Sequence, residues 1–247
     1  ASGTETQPIA IKGAGDGEVV FDGNGAFNLF NVKAANYNYF EGLTIRNTEL
    51  AFQGGLKNII GSVGLTVKKN RFENIGVGVH TDWSGSKDYY VADNIFVGKN
   101  DPNILMGWTG RSWQSYIAEK GAPPLLSEYA VKVYGQGHVV AHNTMAHWHD
   151  GIDMATYGNP DGTPNPVEDR FPMSNDFYGN DFYNMGDNCI ETDGGGRTNR
   201  HFAIVGMALI GEVDGRHLIG GQREIRQSGD GHFAGDAERI HSDGAVD

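Results

Sequence analysis

The chain has 247 residues, a formal net charge of −12 and a pI near 5.1, a balance that argues against nucleic acid or an anionic membrane as partner. Its single cysteine, Cys189, excludes an intrachain disulfide, and no apolar run approaches the roughly eighteen residues of a membrane span. Thirty-seven glycines against ten leucines, with abundant Asn and Asp, point to short strands joined by tight turns.

The chain begins at Ala1, which points to a processed or trimmed N-terminus, and PIAIKGAG…EVVFDG reads as two strands of a first coil with room for a cap upstream. Five asparagines then recur in like settings: Asn47 (LTIRNTE), Asn70 (TVKKNRF), Asn94 (YVADNIF), Asn143 (VVAHNTM) and Asn180 (FYGNDFY). Their gaps are 23, 24, 49 and 37 residues, read as single repeats with about 25 and about 13 residues inserted in the last two. A leucine-rich repeat fits Leu65–Phe72 locally, but ten leucines and no Leu-rich helical half argue against it. The expectation is an all-β chain, a single-stranded right-handed parallel β-helix (a solenoid) of about 23–24 residues per coil. The five asparagines form its corner ladder, a structural device without catalytic role. The repeats span 1–196 with loops inserted at about 99–128 and 157–173; residues 197–247 read as an irregular cap or tail. Four of nine histidines fall in that tail, without metal-ligand spacing.

About nine residues after each ladder Asn comes a second short strand: VGVHTD (77–82), AVKVYG (130–135), GIDMAT (151–156) and CIETDG (189–194). Setting Val79, Val131, Ile152 and Ile190 inward makes alternation point Val77, Val133, Met154 and Thr192 inward as well. His80, Lys132, Asp153 and Glu191 then face outward in one row, followed by Asp82, Tyr134, Ala155 and Asp193. Lys132 and Asp153 form a cross-strand ion pair on an ordinary outer face. Asp153 opposite Glu191 is different, because like charges face to face repel and compete for one proton. Asp153→Asn or Glu191→Gln is therefore expected to leave stability unchanged or raised. The first insertion carries Trp108 and Trp113; Trp83 and Trp148 lie in turns nearby, and all four offer flat faces for sugar rings.

The coils resemble the pectate-lyase-like superfamily of right-handed β-helices, which includes polygalacturonase-type hydrolases and polysaccharide lyases. Trp148-His149-Asp150-Gly151-Ile152-Asp153 resembles the D-G-I-D element of the hydrolases, and Gly186-Asp187-Asn188-Cys189-Ile190 resembles G-D-D-C-I. That resemblance adds Asp150 and Asp187 as candidates, while Asn188 replaces the second Asp and no H-G or R-x-K pair follows. It implies a secreted or periplasmic enzyme.

Three functions stay open. In a glycoside hydrolase, Asp153 and Glu191 are the carboxylate pair, Lys132 and His80 assist, and Asp82, Tyr134, Asp150, Asp187, Asp193 and the four tryptophans bind a polysaccharide. In a lyase, Asp153, Glu191 and Asp193 hold Ca²⁺ and Lys132, His80 or Tyr134 removes the proton. In the third, the chain binds sugars without turnover, as an adhesin or tail module. A monomer without a firmly implied cofactor is expected in each.

Overall fold

The computed structural model describes residues 1–56, 59–100, 126–154 and 172–191, together with the backbone of four short strands between 200 and 218. Every regular element among them is a strand. The first strands are β1 (Ile9–Lys12), β2 (Val20–Asn31), β3 (Asn38–Glu41), β4 (Thr44–Gly55), β5 (Thr66–Lys68) and β6 (Arg71–Thr81). Next come β7 (Tyr90–Ala92), β8 (Ile95–Val97), β9 (Tyr129–Val133), β10 (Val139–Ala141), β11 (Thr144–Ala146) and β12 (Asp150–Asp153). The last are β13 (Asp176–Tyr178), β14 (Asp181–Tyr183), β15 (Asn188–Glu191), β16 (Arg200–Phe202), β17 (Val205–Met207), β18 (Gly211–Val213) and β19 (Arg216–Leu218).

Seven strands form one parallel sheet in the order β1-β3-β5-β7-β10-β13-β16, and the other twelve form a second. Among the described strands every pairing is parallel except β18 with β19. Each strand hydrogen-bonds to its counterpart one repeat later. Thr44 lies opposite Arg71, Arg71 opposite Ile95, Ile95 opposite Thr144, Thr144 opposite Asp181 and Asp181 opposite Val205. Pairing thus continues past residue 196, through β16, β17 and β18.

The corner between the sheets is two residues long and uniform in backbone conformation. Its first residue is left-handed: Gly42 (φ 72°), Lys69 (53°), Asp93 (56°), His142 (55°) and Gly179 (62°). Its second is Leu43, Asn70, Asn94, Asn143 and Asn180, and the four asparagines are buried. Each accepts at its side-chain oxygen from the preceding corner's backbone N–H, as in Asn70 N–H to Asn94 Oδ1 (2.9 Å) and Asn94 N–H to Asn143 Oδ1 (3.0 Å). Each also donates its amide to a strand carbonyl, so a turn that exposes backbone groups to the core leaves them paired. Asn47 is not in this ladder. Leu43 holds the corresponding corner, because the repeat from β4 to β6 is 27 residues and the 23-residue gap from Asn47 to Asn70 does not match it. Asn47 lies instead on the surface, donating to Asp22 Oδ1 (3.0 Å) and accepting from Asn74 Nδ2 (2.7 Å).

The core is a column of stacked side chains. Ile45, Phe72, Phe96, Met145 and Phe182 share one register and are fully buried, with the Phe72 and Phe96 rings 4.3 Å apart and 13° from parallel.

At another corner, buried His138 precedes β10 as Asn175 precedes its paired strand β13. Its Nδ1 accepts the Tyr89 N–H (3.1 Å), so Nε2 carries the proton that bonds the Tyr134 carbonyl (2.8 Å). Burial pushes its pKa down to about 4, against the opposing pull of the Tyr134 carbonyl. The folded value lies below the unfolded one of about 6.5, so the stability is complete above that pH and is lost as pH falls towards 4, by about 3 kcal/mol in all. His138→Asn, which keeps the acceptor for Tyr89, is expected to lose less stability between pH 7 and 5 in urea unfolding. Equal losses in the two proteins would contradict a buried neutral imidazole.

Candidate active site

The four strands expected to carry the site are in the expected register. Val79, Val131, Ile152 and Ile190 stack one upon the next, fully buried, and His80, Lys132, Asp153 and Glu191 form the adjoining row. Strict alternation fails one residue earlier. Ala51, Ala130 and Cys189 belong to the core, and a Cβ on Gly78 or Gly151 would strike the inward rings of Phe96 or Phe182. Two successive positions therefore face inward, and the strands bend there. The bend corrects the expected placing of Val77. With Leu50 and Tyr129 it lines an outer cleft, and Asp150 and Asn188 continue the same row. The outer face thus carries two rows of side chains, three residues apart along each strand.

The cleft encloses about 430 Å³ and is walled by Phe27, Glu49, His80, Glu128, Tyr129 and Lys132, with Gln53 between them. Lys132 Nζ lies 3.3 Å from Asp153 Oδ1 and 4.0 Å from the Tyr129 ring centre. Its side chain is 17 % exposed and that of Asp153 5 %. Burial alone would discharge such a lysine. The charge of Asp153 first, then the neighbouring Tyr134 and Tyr129 hydroxyls, outweigh it and hold the lysine pKa well above its usual value. Lys132 is therefore an ammonium at neutral pH, and its charge favours the ionised form of Asp153.

Neighbouring carboxyls are driven the other way. Burial, then the charges of Asp153 and Asp187, raise the pKa of Asp150 well above the carboxylate range, although its Oδ1 accepts the Asn188 N–H (2.7 Å). Burial, Glu49 and Asp153 together push Glu128 up to about 7 against the pull of Lys132. His80 is pushed down to about 4 by burial, a shift that Asp82 opposes and Lys132 and Lys33 reinforce, so its ring is neutral. Glu191 accepts from Asn188 Nδ2.

Two other expected site residues are displaced from the face. Tyr134 is fully buried, its carbonyl committed to His138, so it is not a surface ligand. Trp148 is also fully buried, its indole N–H on the Phe96 carbonyl (3.3 Å) and its ring edge-on to Phe96, so no sugar can stack on it. The turn that carries it is interior because Trp148 continues the core column. Trp83 packs over Gly61 and Gly85. Asp82 follows β6 beside His80, and Asp187 is partly buried beside His149. Trp108, Trp113 and Asp193 lie outside the described residues. Glu128, Tyr129 and His149 are additions, and Glu128 escapes a period-two reading because Ala130, between it and Lys132, faces the core.

Ca²⁺ at Asp153 and Glu191 would have to displace the Lys132 ammonium, so these residues do not fit that ion. A different group, His149, Asp150 and Asp187, brings one donor atom each to within 4.8 Å, with His149 Nε2 3.7 Å from each carboxylate. Metal ligation requires deprotonated carboxylates, and the burial of Asp150 opposes that state. No metal centre is assigned. Compared with family models, with curated proteins and with solved structures, the chain finds no match.

Proposed function

We propose that the protein is a glycoside hydrolase that cleaves a polysaccharide along the outer face of a right-handed parallel β-helix. One observation carries this reading: Lys132 favours an ionised Asp153 while carboxyls around it are driven towards the protonated state. Glycosidic cleavage needs these two states side by side, an acid on the leaving oxygen and an anion at the anomeric centre. Asp153 is the anion, acting as base, and Glu191 lies beside it on the next strand. The cleft next to the pair has an exposed aromatic face, Phe27, on which the C–H face of a sugar can rest. The lyase reading is weaker, because a lysine held protonated by its carboxylate is a poor base at neutral pH.

The test is a screen over polygalacturonate, alginate, xylan, arabinan and β-glucan, with calcium and with chelator. New reducing ends without ultraviolet absorbance, unaffected by chelator, are expected. Absorbance from unsaturated uronates that chelator abolishes would replace the hydrolase with the lyase. Binding without turnover at any pH would leave a sugar-binding surface.

A further inference from the structure

We infer that Glu128, at the N-terminal end of the Lys132 strand, is the proton donor of the cleavage. The inference rests on the hydrolase reading above. Of the two carboxyls driven towards the protonated state, Glu128 lines the cleft; Asp150 does not, and its Oδ1 is occupied by the Asn188 N–H. Glu128 is fixed from both sides by its backbone, its N–H donating to the Gly76 carbonyl (2.7 Å) and its own carbonyl accepting the Asp150 N–H (2.9 Å).

Gly76 shapes the local field. It separates Glu49 and Glu128 on the intervening strand, and a Cβ there would meet Glu49 Oε1 at 2.5 Å. The missing side chain lets the Glu49 carboxyl lie across Gly76, towards Glu128. A charge in that place favours the protonated form of Glu128, as burial does. Lys132, Glu49 and Asp153 are the charged groups that act on it.

Glu128 gives its proton to the glycosidic oxygen as the bond from that oxygen to the anomeric carbon breaks, its electron pair staying on oxygen. Water bonds to the anomeric carbon and passes its proton to the Asp153 carboxylate.

The experiment compares wild type, Glu128→Gln and Glu49→Gln on the polysaccharide cleaved in the screen and on 2,4-dinitrophenyl glycosides of the sugar released. Glu128→Gln is expected to lose about 10²–10⁴-fold on the polysaccharide, the usual worth of a general acid. It should stay within about tenfold of wild type on the dinitrophenyl glycoside, whose leaving group needs no proton. The alkaline limb of kcat/KM, near pH 7 in wild type, should vanish in Glu128→Gln and move to lower pH in Glu49→Gln. An active wild type with Glu128→Gln unimpaired, or equally impaired on both substrates, overturns the assignment of Glu128 and leaves the hydrolase reading standing. A wild type inactive on every polymer overturns both. Should Glu128→Gln fail to fold, a Glu49→Gln profile that does not move overturns the assignment by itself.

Discussion

Replacing Asp153 by Asn is expected to lower turnover about 10³-fold or more and, in the same protein, to destabilise the fold by about 3–5 kcal/mol. The two effects have different origins. Turnover falls because an amide neither accepts the proton of water nor balances charge at the anomeric carbon. Stability falls because Lys132, only 17 % exposed, keeps its charge and loses the carboxylate 3.3 Å away. The repulsion from Glu191, which the sequence brings to the fore, works in the opposite direction and is the smaller effect, since Glu191 is already engaged by Asn188. A double variant separates the two origins. Lys132→Met combined with Asp153→Asn removes both charges and fills the space, so urea unfolding should recover to within about 1 kcal/mol of wild type. Activity should not recover. Asp153→Asn with unchanged stability would mean that the ion pair is solvated, and the account of an ionised Asp153 would fail with it.

The second large effect belongs to the corner ladder. Asn143→Ala removes the amide that donates to the Val91 carbonyl (2.9 Å) and to Asn180 Oδ1 (2.9 Å), and the oxygen that accepts the Asn94 N–H (3.0 Å). All of these groups are buried, and a stranded donor or acceptor costs about 1–3 kcal/mol each. A loss of about 3–5 kcal/mol is expected, equivalent to about 10 °C in melting temperature for a chain of this size. Asn47→Ala, at a residue that resembles Asn143 in the sequence, should cost about 1–2 kcal/mol, mostly from holding an alanine at φ 57°. Unfolding both variants in urea checks the contrast. Equal losses would mean that burial adds nothing to the worth of the corner amides.

The comparison of Asn143 with Asn47 shows how far the sequence carries. Periodicity located the ladder and aligned His80, Lys132, Asp153 and Glu191 correctly, because parallel strands paired one repeat apart turn sequence spacing into spatial neighbourhood. It misassigned Asn47 because an Asn on the surface and an Asn at a buried corner look alike when the flanking apolar run is equally short. The miss at Val77 has a different cause. Alternation assumes that every residue flips face, and the strands of the site break that rule once, at Ala51, Gly78, Ala130, Gly151 and Cys189. Val77 was placed inward for that reason. Alternation puts Tyr134 outward, but β9 ends at Val133 and the residue beyond it is buried; a turn position puts Trp148 at the surface, yet its indole N–H bonds the Phe96 carbonyl inside.

The bend has a consequence for how the groove keeps its dimensions. At Gly151 a Cβ would collide with the Phe182 ring and come within 2.6 Å of the Cys189 carbonyl, so the interior leaves no room for a side chain at the inflection. The separation of Asp150 from Asp153 is therefore cast by the aromatic packing behind them, as a relief is cast by its mould. A change confined to the hidden side, at a residue no sugar could ever touch, would redraw the surface on which the sugar lies.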